Sequence, residues 1–254
     1  MAQALLVPLL EAGRLEPGAV RAVVARESSA RRLAAEHGLV VDTDPAAAWR
    51  CPTVLLAVKP QQIEAVAARV PAWDGPAAPL LISVLAGVSL ARLARLFPGR
   101  RLVRAVPNTP ALVGAGLTAL AFGEGVEAEA QEWVRSLFAG VGEVMELPEV
   151  QLDAFLALTS SGPAFVAVVA EAMADGAVAA GLPRRLAMHL AHRTLAGTAA
   201  LLQQRELHPG QLKDLVSSPG GTTIAGLRRL ESGALRSALL EAVLAAAERS
   251  RELA

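Results

Sequence analysis

PTVLLAVKPQ, residues 52–61, is the stretch on which the fold turns. Its first seven residues are apolar without alternation, and the run stops at a lysine and a proline. An unbroken run of that length suits a strand buried on both faces. The pattern repeats on either side. LLISVL (80–85) is a second such strand, closed by Ala86 and Gly87 before a helix from Ser89. LVRAV (102–106) is a third, closed by PNTP (107–110). AVRAVVA (19–25) is a shorter candidate, followed by Arg26, Ser28 and Ser29 opening a helix to His37. Residues 117–122 and 141–147 complete the strands, and helices are predicted over 1–12, 61–70 and 127–138. Strands alternating with helices predict an α/β fold, a Rossmann-like doubly wound parallel sheet with helices on both faces.

After Pro148 the pattern changes, and no strand is predicted from there to Ala254. Residues 152–180 are small and apolar on every side, which predicts burial all round, against a second subunit. Helices are expected over 184–204, 211–216 and from Thr223 to the end. The chain thus divides into a dinucleotide-binding domain, 1–148, and an all-helical domain, 149–254, with no low-complexity linker between them.

Composition removes several function classes. The 254 residues carry a formal net charge of zero, so no basic footprint points to nucleic acid or to an acidic membrane surface. Cys51 is the single cysteine, which rules out an internal disulfide and a cysteine-based zinc site and suits a reducing cytosol. His37, His189, His192 and His208 make no metal pattern. The N-terminus reads as no secretory signal, and the longest apolar run, residues 164–170, is too short to span a bilayer. A soluble cytoplasmic protein is expected. Lys59 and Lys213 are the only lysines and Asn108 the only asparagine, and all three fall in Pro- or Gly-containing motifs.

The chemistry is concentrated in KDLVSSPGGTTIAGLRRLE, residues 213–231. Gly220 and Gly221 permit a tight turn and close approach of a ligand to the backbone. Thr222 and Thr223 then stand where a helix starts, and there free N–H groups and the positive end of the dipole favour an anion. Two readings are open at this point: a helix cap after a Pro-Gly turn, or a site for a small carboxylate. Elsewhere, polar or small residues stand at successive strand ends, where a doubly wound sheet binds its ligands. After the second strand of such a fold, Arg26 and Ser28 suit a ribose 2′-phosphate, whereas a carboxylate there would bond a 2′-hydroxyl.

VKPQ (58–61), PNTP (107–110), SSGPAF (160–165), HPGQLKD (208–214) and SSPGGTTIAGLRRLESG (217–233) occur in this order. Together they resemble the pyrroline-5-carboxylate reductase family, over essentially the whole chain. The resemblance implies NAD(P)H-dependent reduction of a cyclic imine to L-proline, with NADPH as cofactor and NADH as a second possibility. It implies a Rossmann domain and a helical domain that interlocks two subunits, giving a homodimer or a higher oligomer built from dimers. By position it puts Ala57, Val58, Lys59 and Pro60 on the cofactor, with Val84, Leu85 and Ala86 along the same cleft and Asn108 near the nicotinamide. It puts Ser218, Gly221, Thr222 and Thr223 on the substrate: backbone N–H groups and the Ser218 hydroxyl on the carboxylate, and the Thr223 hydroxyl at the ring nitrogen as the catalytic contact.

Three positions depart from the family's pattern. Ser160 replaces a glycine, Phe165 lacks the usual hydroxyl, and Asp44 stands where an asparagine is common. The family also opens with a strand and a GxGNMA-type loop, of which Met1-Ala2 align with the last two residues. In the 3-2-1-4 strand order that strand is central, so two neighbours are expected to lack a partner. A truncated, catalytically impaired relative that acts as a dimerising interaction protein is the alternative reading.

Overall fold

The computed structural model describes residues 1–71, 73 and 78–252. It divides into two bodies: Met1–Ser160 joined by the end of the chain from Ala246, and Ser161–Ala245.

In the first body, helix α1 (Ala2–Glu11) ends at Gly13, whose φ of 64° lies in the left-handed region that glycine adopts freely. Strand β1 (Arg21–Val23), helix α2 (Glu27–His37) and strand β2 (Val40–Asp42) follow. Strand β2 is missing from the sequence expectation: three residues, two of them valines, are too short a run for periodicity to register. Next come β3 (Thr53–Leu56), α3 (Ile63–Ala67), β4 (Leu80–Ser83), α4 (Leu90–Leu96) and β5 (Arg101–Val106). Ser89 caps α4, its hydroxyl accepting the Arg92 N–H at 3.2 Å. Then β6 (Gly116–Phe122), α5 (Ala128–Ala139), β7 (Gly142–Glu146) and α6 (Leu152–Thr159) complete the body.

Among the described residues the strands form two sheets, β1-β2 and β3-β4-β5-β6-β7. Strand β1 pairs only with β2, and β3 only with β4, so each has one edge without a ladder partner.

One pairing departs from the expected parallel sheet: β6 runs antiparallel to β5. Residues 107–115 joining them are too few for a crossover, which needs about a dozen residues or more. Both faces of the larger sheet are covered, as its unbroken apolar runs require. On β4, Leu80 and Ile82 enter one core with Leu5, Leu9, Val134 and Phe138, while Leu81 enters the other with Ile63, Leu93 and Phe97. Burying each such side chain stabilises the fold by roughly 1.5–3 kcal/mol.

The second body contains α7 (Gly162–Ala179), α8 (Arg184–Gln204), α9 (Pro209–Leu215), α10 (Thr222–Ser232) and most of α11 (Leu235–Glu252). The helix expected from Thr223 to the end is broken at Gly233 and at Ala234, which has a φ of 55°; its last two residues lie outside the described residues. Residues 152–180 are likewise two helices, and within one chain α7 is buried on one side only. It buries Ala170 and Ala174, while Val166, Val168 and Met173 are exposed. Its core with α8 is a stripe of alanines, Ala174, Ala187 and Ala191, narrow because alanine lets two helices approach closely but fills little volume. Leu186, Leu190, Leu230, Leu240 and Leu244 also remain exposed.

The expectation about membrane length needs correcting too. Glu149–Ala179 is long and apolar enough to cross a bilayer by length and composition, with a mean hydropathy of 1.6 in its best window. Residues 164–170 understate it because the apolar character continues on both sides of isolated polar residues. Its first part is nevertheless packed in the first body, where Leu152 and Ala157 are buried and Asp153 is ion-paired with Arg104.

Candidate active site

The 213–231 stretch is in the second body. Helix α9 carries its own cap: His208 Nδ1 accepts the Gly210 N–H at 3.1 Å, and the Gln211 side chain accepts the His208 N–H at 2.9 Å. The chain then turns through Ser218, Pro219, Gly220 and Gly221. The Gly221 N–H donates to the Ser218 carbonyl at 3.0 Å, and Gly220 has a φ of 66°. Proline second and a positive-φ glycine third are the requirements of a type II turn. Gly221 is the N-cap of α10 and has no side chain to offer, so the helix starts with its first N–H groups uncapped by a side chain. The turn is thus a helix cap after a Pro-Gly turn, and because its cap residue is glycine it also leaves the first N–H groups of α10 open to an anion.

The hydroxyls differ in availability. Ser217 Oγ donates to the Lys213 carbonyl at 2.7 Å and is engaged. Among the described residues, no hydrogen bond is recorded for the side chains of Ser218, Thr222 or Thr223. Ser218 and Thr222 are exposed and Thr223 half-buried. At the other end of α10, a hydrogen bond from Arg236 holds the Glu231 carboxyl below the usual carboxylate range. The charges of Arg236 and, more weakly, Lys213 add to the effect. A Cβ on Gly221 would overlap Ser218 Oγ and lie 3.1 Å from the Ser218 carbonyl oxygen. Gly221→Ala is therefore expected to push the Ser218 hydroxyl aside. It should raise the KM for the carboxylate substrate about tenfold while costing only about 1 kcal/mol of stability; steady-state kinetics with a thermal melt checks both.

The strand-end residues are in the first body. Arg26 is the extended N-cap of α2, with Ser28 in the first turn, both exposed. No side-chain partner is recorded for Arg26, Ser28 or Lys59 among the described residues. The neighbouring Glu27 carboxylate instead accepts the Thr43 hydroxyl at 3.0 Å. A free guanidinium and a free hydroxyl at a helix start fit a phosphate monoester. Ala57 and Val58 are half-buried after β3, followed by exposed Lys59 and half-buried Pro60. After β4, Val84 and Ala86 are half-buried, but the Leu85 side chain is in the core, so only its backbone can meet a ligand.

Asn108 is buried and acts as a brace. Its Oδ1 accepts the Leu117 N–H at 2.8 Å, and its Nδ2 donates to the Thr159 carbonyl at 3.0 Å. Beside it, Ser160 Oγ donates to the Pro107 carbonyl at 3.2 Å, a contact that the glycine usual at that position could not make. Sequence reasoning did not single out Arg104 or Glu149, which form an ion pair at 3.3 Å. The signal was one charged residue inside the apolar run LVRAV, because a buried guanidinium demands a carboxylate partner.

Two family models match: pyrroline-5-carboxylate reductase dimerisation over residues 149–253, and NADP oxidoreductase, coenzyme F420-dependent, over residues 1–87. The pyrroline-5-carboxylate reductase of Synechocystis is 46% identical over 256 residues, with 100% of this chain and 94% of the relative covered. That of Thermus thermophilus is 44% identical, covering 100% and 95%. Among solved structures, Plasmodium falciparum pyrroline carboxylate reductase with NADP bound superposes with a TM-score of 0.91. It is 26% identical over 99% of this chain and 93% of that one. With full-length identity at this level, the chain belongs to the pyrroline-5-carboxylate reductase family.

Proposed function

We propose that this protein reduces 1-pyrroline-5-carboxylate to L-proline with NADPH. The observation that carries the reading is the uncapped start of α10 behind a type II turn, with three unengaged hydroxyls beside it, in a chain 46% identical to a reductase of that name. NADPH supplies a hydride to the imine carbon. The N–H groups at the start of α10 and the Ser218 hydroxyl hold the substrate carboxylate, with Gly221 and Thr222 supplying backbone contact. The Thr223 hydroxyl donates a hydrogen bond at the ring nitrogen, which makes the carbon more electrophilic and fixes the ring's orientation. Solvent delivers the proton that nitrogen gains, because a threonine hydroxyl is too weak an acid to do so.

Arg26 and Ser28 hold the 2′-phosphate in this reading, and residues 57–60, 84–86 and 108 line the rest of the cofactor cleft. Residues 1–148 bind the dinucleotide, and 149–254 bind substrate and join subunits. The exposed leucines and valines of α7, α8, α10 and α11 support a homodimer or an oligomer of dimers. Zero net charge supports a cytoplasmic enzyme with no nucleic-acid or membrane partner. The test is loss of NADPH absorbance on adding 1-pyrroline-5-carboxylate to the purified protein, with proline identified as product. No turnover with either NADPH or NADH overturns the proposal.

A further inference from the structure

Glu149 is a node between two turns of the first body. Its Oε1 accepts the Leu90 N–H at 2.7 Å and an Arg104 guanidinium nitrogen at 3.3 Å. Arg104, only 3% exposed, gives its other terminal nitrogen to Asp153 at 3.1 Å, and Asp153 also accepts the Ser250 hydroxyl at 2.9 Å. Leu90 opens α4, so Glu149 fixes the far end of the turn that carries Val84, Leu85 and Ala86. The near end is fixed by β3, since the Val84 N–H donates to the Leu56 carbonyl at 3.0 Å. Arg104 belongs to β5, the strand that leads directly into Asn108. One carboxylate therefore ties the start of α4, where the turn after β4 ends, to Arg104 of the neighbouring strand β5, which runs on into the 107–108 turn.

The arrangement is an expensive way to build a brace. Arg104 Nε is buried with no hydrogen-bond partner. Apolar residues of similar volume often replace buried ion pairs without loss of stability, so stability alone gives no reason for charge here. What a charged, directional contact supplies is a defined position. We propose that Glu149, held by Arg104, is a positioning residue of the cofactor cleft, setting the 84–89 turn against the 107–108 turn. The inference rests on the reading of residues 84–86 and 108 as cofactor-lining.

Two variants test it by steady-state kinetics. Glu149→Ala removes the acceptor. Leu90→Pro removes the donor without touching the ion pairs, at a helix's first position, where proline is well tolerated; Ser89 before it is already extended, as a residue preceding proline must be. Both should raise the KM for NADPH about tenfold, the effect of misplacing a binding wall. The KM for 1-pyrroline-5-carboxylate and kcat at saturating NADPH should stay within about threefold of wild type, a range of under 1 kcal/mol. Glu149→Gln, which keeps an acceptor for Leu90, should recover most of the loss. A merely structural Glu149 would lower the melting temperature and the active fraction but leave the KM for NADPH unchanged, and that result in either soluble variant overturns the proposal. Ala86→Trp separates the inference from its premise. If it leaves the KM for NADPH unchanged, the cleft reading fails; if it raises that KM while Glu149→Ala does not, only the positioning role fails.

Discussion

Thr223→Val is expected to lower kcat about 10- to 100-fold while leaving the KM for NADPH near its wild-type value. Valine keeps the shape of threonine and removes the hydroxyl, so the start of α10 and its N–H groups survive. What goes is one hydrogen bond to a nitrogen that gains negative charge as hydride reaches the carbon, before solvent protonates it. Hydrogen bonds to charged groups contribute about 1.5–3 kcal/mol, which is the stated range of rate. The split between kcat and KM matters because the contact strengthens as the nitrogen gains charge, and a contact of that kind accelerates the chemical step. Thr222→Val provides the internal control. Its side chain is exposed at the preceding position, and its assigned role is through the backbone, so its turnover should change by less than about threefold. Equal losses in the two variants would remove Thr223 from the mechanism.

How much of this was legible without coordinates depended on whether a feature was local. The buried strands were readable because strands covered on both faces need unbroken apolar runs, and Leu80, Leu81 and Ile82 do enter opposite cores. The turn at residues 218–221 was readable because proline followed by glycine leaves few alternatives there. Strand β2 was not readable at three residues. The direction of β6 was legible but overlooked, since the stretch between the expected strands 102–106 and 117–122 is too short for a parallel crossover. Long-range polar contacts escaped entirely: Glu149 meets Leu90 and Arg104 across 59 and 45 positions of sequence, and no spacing rule reaches that far. The apolar face of α7 was expected to be buried against a second subunit. Within one chain that face is exposed, and the match to a dimerisation family agrees with the expectation.

Gly142→Ala is expected to destabilise the first body strongly. Gly142 opens β7 opposite Gly116 of β6, and the two backbones approach so closely that a Cβ on Gly142 would overlap the Gly116 carbonyl oxygen and lie 2.5 Å from Gly116 N and C. No rotamer change relieves a clash with backbone, so one strand must move. Gly142 also has a φ of 150°, outside the range that residues with a Cβ favour. Gly116 is itself held, its N–H donating to the Val141 carbonyl at 2.9 Å, and it packs so closely on Ala111 that a methyl built there would lie 2.9 Å from Ala111 Cβ. The movement must come from β7, which is the edge strand and can shift at its first residue. That limits the cost to overpacking plus backbone strain, about 2–4 kcal/mol in all. The contrast is Gly125→Ala, where the φ of 77° is unfavourable but nothing lies within 4 Å of the new Cβ, so only the strain of about 1–2 kcal/mol applies. Paired thermal melts give the comparison, and Gly142→Ala melting as high as Gly125→Ala would refute the close β6–β7 approach as the source of the cost.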